Sequence, residues 1–72
     1  MKISYTDHAL ERLSERNVSK KQVEKALISG EKNDINGDLR QAEVKIDTQI
    51  LIVRYNIKST KEVLVVTLFW KD

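Results

Sequence analysis

The residue types with the most chemical capacity lie near the amino terminus. His8, the single histidine, is followed by Arg12 and Arg16 at intervals of four, so on a helix the three side chains project as one row. Such a row suits phosphate, because guanidinium is permanently charged and offers paired donors, while an imidazole titrating near neutrality can give or take a proton. RNA cleavage by attack of its own 2′-hydroxyl needs those two services and no metal. A solvated, ion-paired helix face has the same spacing. Glu11 and Glu15 lie beside the arginines, and spacing alone favours that plainer reading.

Two further residues stand out against apolar surroundings. Arg54 interrupts the run Ile50 to Ile57, and Thr67 interrupts Val63 to Trp70. An arginine in an apolar strand is expensive to bury unpaired, so it reaches water, meets a carboxylate such as Glu43, or waits for an anionic ligand. Phe69 and Trp70 can stack on nucleobases, but in so short a chain the core is their more natural place. The oxygen-rich stretch from Asn33 to Asp38 lacks the spacing and terminal glutamate of a calcium loop. Cysteine is absent, which excludes a thiol nucleophile, a disulfide framework and a thiolate zinc site. Neither a metal nor a cofactor is expected.

The elements that must position these residues can be read from local signals. Residues 6 to 17 read as a helix capped by Thr6 or Asp7, with Ala9, Leu10 and Leu13 as its apolar stripe. Ile3 and Tyr5 suggest a short strand before it. Ser19 and Gln22 fit a capping box, and Val18 and Val23 sit where a hydrophobic staple places them, so a second helix runs to Gly30. Asn36-Gly37 marks a hairpin, with a strand beginning near Leu39. Ala42, Val44 and Ile46 alternate with polar residues, as in a half-buried strand. If Ser59 and Thr60 turn the last hairpin, Leu51, Val53 and Tyr55 face Leu68, Val66 and Leu64, and Arg54 and Thr67 share the other face. The expected architecture is α+β: a short N-terminal strand, then a two-helix hairpin on one face of a curved antiparallel sheet of three to four strands.

Residues 1–72 read as a single domain, with no repeat, linker or proline. A net charge of +2 is too small to imply a polyanionic partner by itself, although Arg12, Arg16, Lys20, Lys21 and Lys25 form a local basic cluster. No apolar stretch approaches the roughly 20 residues of a membrane span, and the start of the chain is unlike a secretory signal. A cytoplasmic location without membrane contact is expected.

The segment Tyr5-Thr6-Asp7-His8-Ala9-Leu10-Glu11-Arg12-Leu13-Ser14-Glu15-Arg16-Asn17-Val18-Ser19 resembles the signature His-Ala-x-x-Arg-x-x-x-Arg, followed by a Gly- or Asn-hydrophobic-Ser turn, of a bacterial family of small domains of unknown function. The likeness continues through Lys20 to Ser29, Asn36-Gly37 and Val65-Val66-Thr67-Leu68-Phe69. That family is grouped with the RelE-like, barnase, EndoU and colicin nuclease toxins, which implies a RelE-like fold and metal-independent RNA cleavage. His8 and Arg12 match the helix signature, Arg16 its second arginine, and Thr67 the polar residue of the last strand. Arg54 rests on the sheet register alone.

The resulting expectation is a toxin-type endoribonuclease. His8 would act as general acid or base, Arg12 and Arg54 would stabilise the pentavalent phosphate, and Thr67 would position the scissile group. Arg16, Lys20 and Lys21 would hold backbone phosphates. RNA, free or on the ribosome, is the expected partner, with an antitoxin-like protein or a second copy beside it. Two alternatives stand next to it: a non-catalytic interaction module that buries its second sheet face against a homodimer or antitoxin-like partner, and a catalytically inactive nucleic-acid binder.

Overall fold

The computed structural model describes residues 1–72. Helix α1 spans Asp7–Glu15 and helix α2 spans Lys20–Ser29. Thr6 caps α1: its hydroxyl accepts the Ala9 amide at 3.0 Å, satisfying a donor that has no partner within the helix. At the other end Asn17 takes a left-handed conformation (φ 58). The amides of Asn17 and Val18 then close back on the carbonyls of Ser14 and Leu13, the Schellman arrangement that stops a helix. The capping box predicted for α2 is present in both directions, Ser19 Oγ accepting from the Gln22 amide and Gln22 Oε1 from the Ser19 amide. Ala9, Val23, Ala26 and Leu27 are buried, whereas Leu10, assigned above to the apolar stripe, is exposed.

The sheet has five strands, not three or four, and it is mixed. Strand β1 (Lys2–Tyr5) precedes α1; β2 (Glu31–Asn36), β3 (Leu39–Ile46), β4 (Gln49–Ser59) and β5 (Glu62–Trp70) follow α2, in the spatial order β1-β5-β4-β3-β2. Strand β1 pairs with β5 in parallel, which the long connection through both helices allows. Strand β2 escapes sequence reading because every residue in it is exposed, leaving no alternation to detect. Its Asp34 pairs with Arg40 on β3 at 2.6 Å.

The hairpins also differ from expectation in phase. Asn36 and Leu39 pair, so the loop is Gly37-Asp38, with Gly37 at φ +49; glycine therefore occupies the first central position, as in a type II′ turn. In the last hairpin Ser59 pairs with Glu62 and Ile57 with Val63, which moves the loop to Thr60-Lys61. A second irregularity places Arg54 opposite Thr67 but Tyr55 opposite Val65, leaving Val66 as a bulged residue. A bulge shifts the alternation of faces by one position. Val63, Val65 and Leu68 thus all point into the core, and the cross-strand pairs are Leu51–Trp70, Val53–Leu68 and Tyr55–Val65. The pairs Leu51–Leu68, Val53–Val66 and Tyr55–Leu64 expected from the sequence do not form.

The core lies between the helices and one sheet face. Leu51, Leu68, Val23, Val53 and Val65 are its largest fully buried side chains, each contributing about 1.5–3 kcal/mol. Trp70 packs at the margin, and its Nε1 donates to the Arg16 carbonyl at 2.8 Å, tying the end of α1 to the end of β5. No helix is long and apolar enough to cross a membrane.

Candidate functional site

Because Val53 and Tyr55 face the helices, Arg54 between them projects from the opposite, uncovered sheet face. There it is the centre of a row running across three strands, Gln41–Arg54–Thr67. The Arg54 Nε donates to Gln41 Oε1 at 3.0 Å, and its guanidinium carbon lies 5.2 Å from the centre of the Phe69 ring, within cation–π range. Phe69 comes from the adjacent row Glu43–Ile52–Phe69. Glu43, the carboxylate expected to meet Arg54, instead lies 3.6 Å from Lys71 Nζ. The guanidinium is therefore held at Nε and stacked on an aromatic ring, while no carboxylate engages its terminal nitrogens. A planar, permanently charged fork held in this way presents paired donors to an incoming anion.

Strand β1 pairs with β5 only as far as Tyr5 and Val65. Beyond that point α1 takes over beside β5. The Thr6 amide donates to the Val65 carbonyl at 3.0 Å and the Thr6 hydroxyl to the Val66 carbonyl at 3.1 Å, one residue short of Thr67. The second residue of α1 is His8, whose side chain is exposed. The structure thus fixes the start of the His8 helix to the strand that carries Thr67, the direct partner of Arg54. No hydrogen bond or ion pair joins His8 to Arg54 or Thr67, and α1 packs on the sheet face opposite the one that carries Arg54 and Thr67.

Arg12 is half-buried and ion-paired with Glu15, a pairing that the sequence anticipates. Arg16 caps α1 through its backbone and is exposed. Lys20 lies 5.3 Å from the centre of the Tyr5 ring, and Lys21 is exposed. Both lysines occupy the first turn of α2, which holds no acidic residue. Cations there oppose the helix dipole by about 0.3–1 kcal/mol each. Sequence reasoning missed Gln41 as the group that orients Arg54 and Phe69 as its stacking partner. The signal for Gln41 was present in the polar parity of β3, but using it required the true register.

Tyr5 and Tyr55 titrate abnormally. The Tyr5 hydroxyl is buried without a hydrogen-bond partner; burial raises its pKa, and the Glu24 carboxylate adds to the rise. Burial also raises that of Tyr55, with Arg40 opposing and Asp34 reinforcing. Both phenols hold their protons more tightly in the folded than in the unfolded chain. Their stabilising contribution is complete below the unfolded value of about 10 and is lost as pH rises through the folded values. Urea unfolding midpoints should therefore fall as pH rises above about 10, with a shallower fall in Tyr5→Phe.

Fold and site together define a small α+β domain with two helices on one face of a mixed five-stranded sheet and an oriented arginine on the other. A family model, described as a domain of unknown function (DUF4258), matches residues 5–70. The chain belongs to that family. No curated protein matches it, and no solved structure does.

Proposed function

We propose that this chain is a metal-independent endoribonuclease of toxin type with a RelE-like fold. The observation that carries the reading is Arg54, a guanidinium oriented by Gln41 and Phe69 on an open sheet face and left without a carboxylate. In the proposed reaction the 2′-oxygen of RNA attacks the adjacent phosphorus and the bond from phosphorus to O5′ breaks. His8 takes the 2′-hydroxyl proton, and the imidazolium so formed returns a proton to O5′. With the RNA crossing the sheet edge where β1 ends and α1 begins beside β5, Arg54 stabilises the charge on the pentavalent phosphate, Thr67 positions the scissile group, and Arg12 exchanges its Glu15 partner for phosphate in the transition state. Arg16, Lys20 and Lys21 hold flanking phosphates. A phosphate near the first turn of α2 would offset the unfavourable placement of its two lysines. The likeness of the His8–Arg16 segment to the signature grouped with nuclease toxins supports the same reading.

The test compares wild type, His8→Ala and Arg12→Ala for cleavage of total RNA in EDTA, after circular dichroism has established that both variants fold. Loss of cleavage by about 100- to 10,000-fold in His8→Ala is expected, and a smaller loss in Arg12→Ala. Full activity in folded His8→Ala would remove the histidine from the mechanism.

A second reading is a non-catalytic module that pairs the open face with a second copy or an antitoxin-like protein. It is supported by the half-buried Leu64, Val66 and Phe69 on that face, beside the nearly buried Ile52. Sedimentation in the micromolar range separates the two, since the module reading requires stable self-association or a bound partner, and the nuclease reading requires turnover.

A further inference from the structure

On the helix side of the sheet, Leu27 near the end of α2 and residues of the hairpin between β4 and β5 border a common space. A cavity of about 370 Å³ opens there, within the range of roughly 300–1,000 Å³ typical of small-molecule sites. Its floor is apolar: Leu27, Tyr55 and Val63 line it, each almost fully buried. Its walls include Ile57 and Met1, which remain 41% and 66% exposed. Apolar surface of this kind is stabilised when a hydrocarbon covers it and water is released.

The polar part of the lining has one sign of charge. Lys32 contributes an ammonium group, Ser59 and Thr60 contribute hydroxyls, and no carboxylate lines the cavity. Lys32 Nζ donates to the Gly30 carbonyl at 3.1 Å, which anchors the group and leaves donors free, since an ammonium has three. Acidic side chains on neighbouring strands are engaged elsewhere: Asp34 with Arg40, and Glu62 with the Ser4 hydroxyl. Glu31, next to Lys32 in the chain, lines a separate depression with Glu43 and Lys71.

We propose that this cavity binds a small amphipathic carboxylate, an aliphatic or aromatic acid whose hydrocarbon body lies on Leu27, Tyr55 and Val63 and whose charge meets Lys32. The site is separate from the Arg54 row. Successive residues of β4 point to opposite faces, so Tyr55 contributes here and Arg54 does not.

The test is a titration of the isotopically labelled protein with octanoate, and with octanol as its neutral counterpart, followed by amide NMR shifts. Saturable shifts are expected at Leu27, Ile57, Ser59, Thr60 and Val63, with octanoate binding several-fold tighter than octanol. Lys32→Glu should weaken octanoate about tenfold and leave octanol unchanged, and Ile57→Asp should weaken both. Lys45→Glu makes the same change of net charge on the exposed part of β3 and should change neither. The proposal is overturned by shifts that do not saturate or that map elsewhere, by equal binding of octanol and octanoate, by an equal effect of Lys45→Glu, or by shifts that depend on protein concentration alone, which would place a second copy in the cavity.

Discussion

Replacing Arg54 by alanine should lower RNA cleavage by about 100- to 1,000-fold, the loss typical of removing one preorganised donor from a developing negative charge, while the domain stays folded. The side chain is half-buried on a face that no helix covers, so truncation leaves no enclosed cavity. It removes a stacked, oriented cation from the centre of the Gln41–Arg54–Thr67 row. Arg54→Lys should recover little, because an ammonium cannot keep the Gln41 bond and also present a planar fork to phosphate. Gln41→Glu gives an independent check. A carboxylate at that position would pair with Arg54 and compete with substrate, so activity should fall although Arg54 remains. Steady-state cleavage of a fluorogenic RNA measures all three variants, and wild-type rates in folded Arg54→Ala would exclude this residue from the chemistry.

The second large effect is on stability. Gly30 joins α2 to β2 in an ordinary extended conformation (φ −76, ψ 163), so the left-handed helix end that its position suggests does not explain it. Close approach does. A Cβ added there would overlap the Ala26 carbonyl oxygen and come within 2.5 Å of the Glu43 carbonyl oxygen. Both are backbone atoms and cannot swing aside, so α2 would have to move away from β3. Gly30→Ala should destabilise the domain by about 3 kcal/mol, read as a lower urea midpoint. Gly37→Ala meets open space and only the strain of a positive φ, so it should cost about 1 kcal/mol. A Gly30→Ala midpoint close to wild type would mean that the helix-to-sheet spacing is looser than described.

How much of this is legible in the sequence follows from how local each signal is. Both helices can be read because caps act over three or four residues: Thr6 with Ala9, and Ser19 with Gln22. The apolar character of β4 and β5, and the order of the elements other than β2, can be read for the same reason. The sheet register cannot. It depends on the Val66 bulge and on an irregularity near Lys58, and neither leaves a distinct residue pattern. Strand β2 is hidden because an exposed edge strand needs no buried face. Placement of Arg54 and Thr67 on one face survives the register change, because the bulge lies between Thr67 and Val65 and shifts only what precedes it. The Lys32 cavity is invisible from sequence, since its lining comes from five separate parts of the chain: Met1, Leu27, Lys32, the end of β4 with its loop, and Val63.

The most direct measurement is the chemistry of the RNA ends left by the purified protein in EDTA. Fragments ending in 2′,3′-cyclic phosphate, formed by wild type and lost in both His8→Ala and Arg54→Ala, are the expected result, because attack by the 2′-oxygen leaves that end and needs no metal. Intact RNA after incubation with folded wild-type protein, with and without ribosomes, would contradict the nuclease reading and leave the open sheet face as a surface for a protein partner.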